Sequence, residues 1–145
     1  MTNDCINTIK QLIQDYELDC TVDTFKDYTG LDWYEMVRCH PLSEDFIREF
    51  KNHWRWNWIF KYHKLSENFI RDFKSEVDWE SVSQYQKLTL NFIREFKEEV
   101  DWDWLIFNKH LDIFDLKDLK QKIDKDTEIE LEEQQKKDFF LIALD

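Results

Sequence analysis

Ten residues at 42–51, LSEDFIREFK, return as LSENFIRDFK from Leu65 and as LTLNFIREFK from Leu88, and Leu111 falls on the next beat of the same 23-residue period. A chain that repeats at this interval is built from one supersecondary unit stacked on copies of itself, because a single unit cannot bury its own apolar face. Three clear units occupy 42–64, 65–87 and 88–110.

The unit reads as helical. The chain of 145 residues holds one Gly and one Pro, against usual shares of roughly 7% and 5%, which argues against the turn-rich chemistry of an all-β fold. In the first half of each unit Ser43, Ser66 or Thr89 stands where an N-cap is needed, and Glu44, Asp45 and Glu67 suit the positive end of the helix dipole. Leu42 with Ile47, Leu65 with Ile70 and Leu88 with Ile93 occupy the two places of a hydrophobic staple. Phe46, Ile47 and Phe50 then share one face, and Glu44 with Arg48 and Glu67 with Arg71 are i, i+4 pairs in the favourable order. The second half repeats the grammar, with Asp78 and Asp101 as N-caps and Val77 with Val82, Val100 with Leu105, Leu31 with Met36 and Trp54 with Ile59 as staples.

Each unit is therefore expected to be a hairpin of two helices, each of about 8 to 10 residues and about 12 to 15 Å. Helices this short are marginal alone, and stacking is what holds them. The expected fold is all-α: an α-solenoid of helical hairpins with period 23 and helical caps at both ends, forming a single domain over 1–145. Residues 1–18 form the N-terminal cap helix, on the spacing of Ile6, Ile9, Leu12, Ile13 and Tyr16. Residues 19–41 are a worn copy whose second half aligns, with LDW at 31–33 standing 23 residues before WRW at 54–56. Gly30 and Pro41 fall at its edges. Residues 111–145 give C-terminal cap helices, with Phe114, Leu116, Leu119 and Ile123 on one face, a turn at DKD (124–126), and a capping box from Thr127 to Glu130 opening a second helix. The final FFLIAL run, 139–144, is strand-like in composition, but with no strand partner elsewhere it is read as helix.

LSEDFIREFKNHWRW and LSENFIRDFKSEVDW resemble the short tandem repeats, of general form LSEDFIREFKDxVDWxxISxYQK, that recur in proteins of large DNA viruses and some bacteriophages. The resemblance covers 42–110 and implies a viral or phage origin; no activity or catalytic residue attaches to the repeat itself. The unit at 42–64 departs from the form, since WRWNW at 54–58 replaces VDW and removes the Asp N-cap.

With 20 basic against 32 acidic residues the net charge is −12, which repels nucleic-acid phosphates and anionic membranes and favours a partner with a basic surface. Cys5, Cys20 and Cys39 form no C-x-x-C pair, so neither a disulfide framework nor a zinc site is indicated. No stretch approaches the roughly 20 apolar residues of a membrane span, and nothing at the start resembles a signal peptide; a cytoplasmic location follows as the expectation. His40, His63 and His110 recur near unit ends and read as surface or cap residues. One Gly cannot make a phosphate loop, the carboxylates sit at caps and i, i+4 places, and no catalytic residue, cofactor or metal site is expected.

In a repeat protein, framework columns stay constant and ligand positions are free to differ. The Phe46, Phe69, Phe92 column is framework, whereas Glu35, Trp58, Ser81, Trp104 and Val37, Phe60, Ser83, Ile106 change character. Trp58 and Trp104 lie about 100° from the centre of the second helix's apolar stripe, where they either extend the core or offer aromatic anchors to a partner. Trp54, Trp58, Trp104, His53 and Phe60 are accordingly the candidate interaction surface. The expected function is a non-enzymatic interaction module that binds and inhibits a host or viral protein. Two alternatives stand beside it: sequestration of a small nucleotide signal in an aromatic pocket, with Arg48, Arg71 and Arg94 as phosphate donors, and mimicry of nucleic acid by spaced carboxylates.

Overall fold

The computed structural model describes the backbone of residues 1–142 and the side chains of residues 1–135. The described residues are all-helical, with no strand among them. In chain order the helices are α1 (Asn3–Asp15), α2 (Trp33–Cys39), α3 (Glu44–Glu49), α4 (Trp56–Tyr62), α5 (Glu67–Asp72), α6 (Trp79–Tyr85), α7 (Leu90–Glu95), α8 (Trp102–Leu105) and α9 (Ile113–Ile142). The helices within 42–110 are shorter than expected, six or seven residues and, in α8, four. Phe50, Phe73 and Phe96 close α3, α5 and α7 as C-caps whose amides still bond to Phe46, Phe69 and Phe92.

Two files of helices share one core. Along one file α2 packs on α4, α4 on α6 and α6 on α8; along the other α1 packs on α3 and α7 on α9. Phe46 of α3 and its C-cap Phe50 lie with centroids 4.6 Å apart, as do Phe69 and Phe73, and Phe92 and Phe96. Trp56 closes on Phe73 at 5.0 Å and Trp79 on Phe96 at 5.1 Å, joining the files. Each ring so buried stabilises the fold by about 1.5 to 3 kcal/mol. In the worn copy a 3-10 turn at Phe25–Asp27 replaces the first helix, and Phe25 supplies the missing ring, edge-on to Phe46 at 6.0 Å and Phe50 at 5.6 Å.

The caps divide by chemistry. Ser43, Ser66 and Thr89 each accept from the amide three residues on, at 3.1 to 3.2 Å. Asp32 and Asp101 cap α2 and α8 in the same manner. Asp78 does not: its carboxylate accepts from the Ser81 hydroxyl at 2.5 Å instead, so the side-chain cap expected there is absent. Arg55, at the matching place before α4, makes no cap bond.

Charged side chains bond across units as well as along their own helix. The Glu44 carboxylate accepts from the Ser66 amide and hydroxyl, and Glu67 accepts from the Thr89 amide at 2.6 Å. Arg48 therefore pairs not with Glu44 but with Asp72 at 2.7 Å, while lying over the Phe69 ring at 4.7 Å. Arg71 bonds both Glu95 oxygens and stands 3.8 Å from Glu67.

Of the surface and cap roles open to His63, it takes the second: it closes α4 as C-cap, its amide bonding to the Ile59 carbonyl, with its side chain buried. Two expectations for the C-terminal segment are corrected. No turn forms at 124–126: α9 runs through it, and Thr127, expected to open a new helix, donates its hydroxyl back to the Ile123 carbonyl at 2.9 Å. With neither Gly nor Pro in the segment, nothing removes a backbone bond there. Residues 139–142 of the FFLIAL run lie within α9, and Ala143 and Leu144 are outside the described residues.

Candidate functional site

The five candidate residues separate cleanly by burial. Phe60 is fully buried and Trp54 is 8% exposed, so neither presents a face to a partner. Trp54 occupies a staple position, and its indole Nε1 donates to the Ile47 carbonyl at 2.8 Å, satisfying the one polar atom it takes into the core. Phe60 stacks on Trp56 with centroids 5.9 Å apart. In its column Val37, Phe60 and Ser83 are buried positions that exchange volume with their neighbours, whereas Ile106 is 50% exposed. His53 is exposed but lies flat on Trp33, 4.4 Å away at 20°.

Trp58 and Trp104 remain at the surface, half-buried on the outer sides of α4 and α8. Trp58 meets the exposed Tyr34 of α2 edge-on at 4.3 Å, and the Arg55 guanidinium lies 4.9 Å above the Trp58 ring. Arg38, one turn along α2, reaches to 5.8 Å from the Tyr34 ring. Its guanidinium, like any arginine's, is a fixed cation. Trp104 stands 5.9 Å from Phe107, which is 67% exposed. At α2 and α4 the outer face of their file thus carries aromatic rings with arginines over them, a surface suited to contact with apolar and anionic groups together.

Sequence reasoning missed Tyr34, Arg38, Arg55 and Phe107. Arg38 and Phe107 belong to one column, Arg38, Lys61, Gln84, Phe107, which changes character as much as the columns singled out. Weighing variation together with a polar or half-exposed helix position would have found it.

Among the described residues no group of three or more His, Cys, Asp or Glu side chains could hold a metal ion, and no helix is long and apolar enough to cross a membrane. The site is thus a cation-and-ring face on an all-helical chain. No protein family, curated protein or solved structure matches it.

Proposed function

We propose that the chain is a non-enzymatic α-solenoid, with a 23-residue period and helical caps at both ends, that serves as a protein–protein interaction module. Its origin is viral or phage, and it acts inside the infected cell by binding and inhibiting a host factor. The architecture part of this reading is supported by the unit-to-unit bonds, in which Glu44 and Glu67 each hold the start of the next helix and Arg48 and Arg71 each reach the next unit.

One observation carries the binding part: Tyr34, Trp58 and Arg55 form a ring-and-guanidinium cluster in which Tyr34 and Arg55 are exposed and Trp58 is half-buried against the core. Trp, Tyr and Arg are the residue types on which interface energy concentrates. Arg38 and Arg55 beside the rings offer cations to carboxylates of the partner segment, while Asp32 and Glu35, exposed on either side of Tyr34, meet basic groups on it. Nucleic-acid mimicry loses support, since the regularly spaced Glu44, Glu67, Asp72 and Glu95 already bond within the protein.

The test is retention of proteins from infected-cell lysate by immobilised wild type and by a Tyr34→Ala, Trp58→Ala double variant. A specific partner held by wild type and lost by the double variant, whose helical content is unchanged, is the expected result. Equal retention by both, or none by either at low salt, would refute the reading.

A further inference from the structure

We propose that the groove between the C-terminal ends of α4 and α6 and the segment after α8 binds a nucleoside phosphate. Lys61, Lys64, Lys109 and His110 line a cavity of about 310 Å³ there, together with the rings of Tyr62, Tyr85 and Phe107. None of its lining residues is acidic, in a chain that holds 32 carboxylate side chains. Among the described residues the ammonium groups of Lys61, Lys64 and Lys109 make no ion pair. Three ammonium groups thus line one groove that has no carboxylate on its walls, on a protein whose net charge is −12.

The cations act on each other as a cluster. Loss of water and then the ammonium groups of Lys109, Lys64 and Lys87 push the His110 imidazole below its ordinary value. An anion entering the groove relieves that repulsion, which a cationic or neutral ligand does not. The rings supply the second half of the recognition. Lys61 Nζ lies 5.5 Å from the centre of the Tyr62 ring and 5.9 Å from that of Tyr85, while Phe107, 67% exposed and 5.9 Å from Trp104, stands at the rim. Its exposed ring stacks on a base while the ammonium groups take the phosphate. The volume lies at the small end of ligand pockets, about 300 to 1,000 Å³, which suits a mononucleotide.

Both walls are fixed before any ligand arrives. Buried Gln86 donates to the carbonyls of Phe60 and His63, holding the turn that carries Lys61, Tyr62 and Lys64. Buried Asn108 donates to the Ser83 carbonyl at 2.7 Å and the Gln86 carbonyl at 2.8 Å, and accepts from the His110 amide, holding the segment that carries Phe107, Lys109 and His110. Pre-set walls lower the ordering cost of binding. A polymer is disfavoured as ligand: with a net charge of −12 the rest of the surface repels a long phosphate chain, while one nucleotide meets only the groove.

The site is separate from the Tyr34 and Trp58 cluster, so its test leaves partner retention untouched. Isothermal titration at low salt with AMP, GMP, adenosine, inorganic phosphate and a single-stranded oligonucleotide decides it. One-to-one binding of AMP or GMP is expected, at least about tenfold tighter than adenosine or phosphate alone. A Lys64→Glu, Lys109→Glu variant with unchanged melting temperature should lose about tenfold or more, and Phe107→Ala should weaken nucleotide without weakening phosphate. No saturable binding at millimolar nucleotide, adenosine binding as tightly as AMP, indifference to the charge reversal, or tighter binding of the oligonucleotide would each overturn the proposal.

Discussion

Replacing His63 with glutamine should stabilise the protein at neutral pH and flatten its loss of stability in acid. Gln86, one unit on in the same column, shows the reason. Its carboxamide accepts from the Leu65 amide at 2.9 Å and donates to the carbonyls of Phe60 and His63, using both ends of the group. The corresponding atoms around His63 belong to Leu42, Val37 and His40. The imidazole reaches the Val37 carbonyl, but its Nε2 is buried without a hydrogen-bond partner. An unsatisfied buried polar atom costs about 1 to 3 kcal/mol, and ordering the longer glutamine side chain offsets part of the relief. A net gain of about 1 kcal/mol remains, or about 2 to 4 °C in melting temperature for a chain of this size.

The acid response has a definite sign. Burial holds the His63 imidazole below its ordinary value, with the Val37 carbonyl acting the other way. Above the unfolded value, near pH 6.5, the ring is neutral in both states and contributes no pH dependence. As pH falls from there through the folded value, the unfolded chain binds a proton that the native ring refuses, and stability drops by up to about 1.4 kcal/mol per pH unit. The H63Q protein lacks this loss, so its advantage over wild type should be larger at about pH 5 than at about pH 7.5. Urea unfolding followed by circular dichroism at both pH values measures the difference, and subtraction removes the contribution of the other histidines. An H63Q protein less stable than wild type at both values, or an advantage that does not grow in acid, would refute the reasoning.

Gln86→Leu, which strips the Leu65 amide and the Phe60 and His63 carbonyls of their partner, should cost about 2 to 4 kcal/mol in urea unfolding. Phe60→Ala should cost about 3 to 5 kcal/mol by the same assay, while Trp58→Ala, at the surface, should cost about 1 kcal/mol. Glu17 has φ 49° beyond the end of α1, where the Leu18 amide bonds the Ile13 carbonyl and the Glu17 amide that of Gln14. Glu17→Gly should therefore raise the melting midpoint by the equivalent of about 1 kcal/mol, since glycine meets no penalty in that conformation.

Local chemistry was legible in the sequence and partner choice was not. Ser43, Ser66 and Thr89 cap because the acceptor and the amide it serves are three residues apart, a distance the sequence states directly. The Phe46, Phe69 and Phe92 column is buried, as its constancy indicated. Glu44 was assigned to Arg48 by the same local rule, yet the carboxylate goes to Ser66, because a helix start with free amides attracts it and stacking brings one within reach. Trp54 and Phe60 were misplaced for a different reason: a column that changes residue type can be a buried one exchanging bulk, as Val37, Phe60 and Ser83 do, all of them inside. Asp78 lost its cap role to a neighbour one turn on, Ser81, that the other copies lack.

The change from short helices to the long α9 has a local cause of the same kind. Glu44 and Glu67 each hold the amide of the residue that opens the helix one unit later. The third copy has Leu90 in that place, so the next start, Asp112, receives no carboxylate from its neighbour, and its own oxygen accepts from the Phe114 amide at 2.7 Å. Arg94 likewise stands where Arg48 and Arg71 find acids, with Asp115, Asp118 and Lys122 across an open groove and no ion pair among the described residues. Beyond Asp112 the Val-Asp-Trp segment that opens α6 and α8 is also missing, and no residue interrupts the backbone bonds through Ile123, Thr127 and onward. With no cap to start a second short helix and none to stop the first, one continuous helix is the lower-energy course. It lays Leu116, Leu119 and Ile123 along the core at the end of the file, where α9 covers α7.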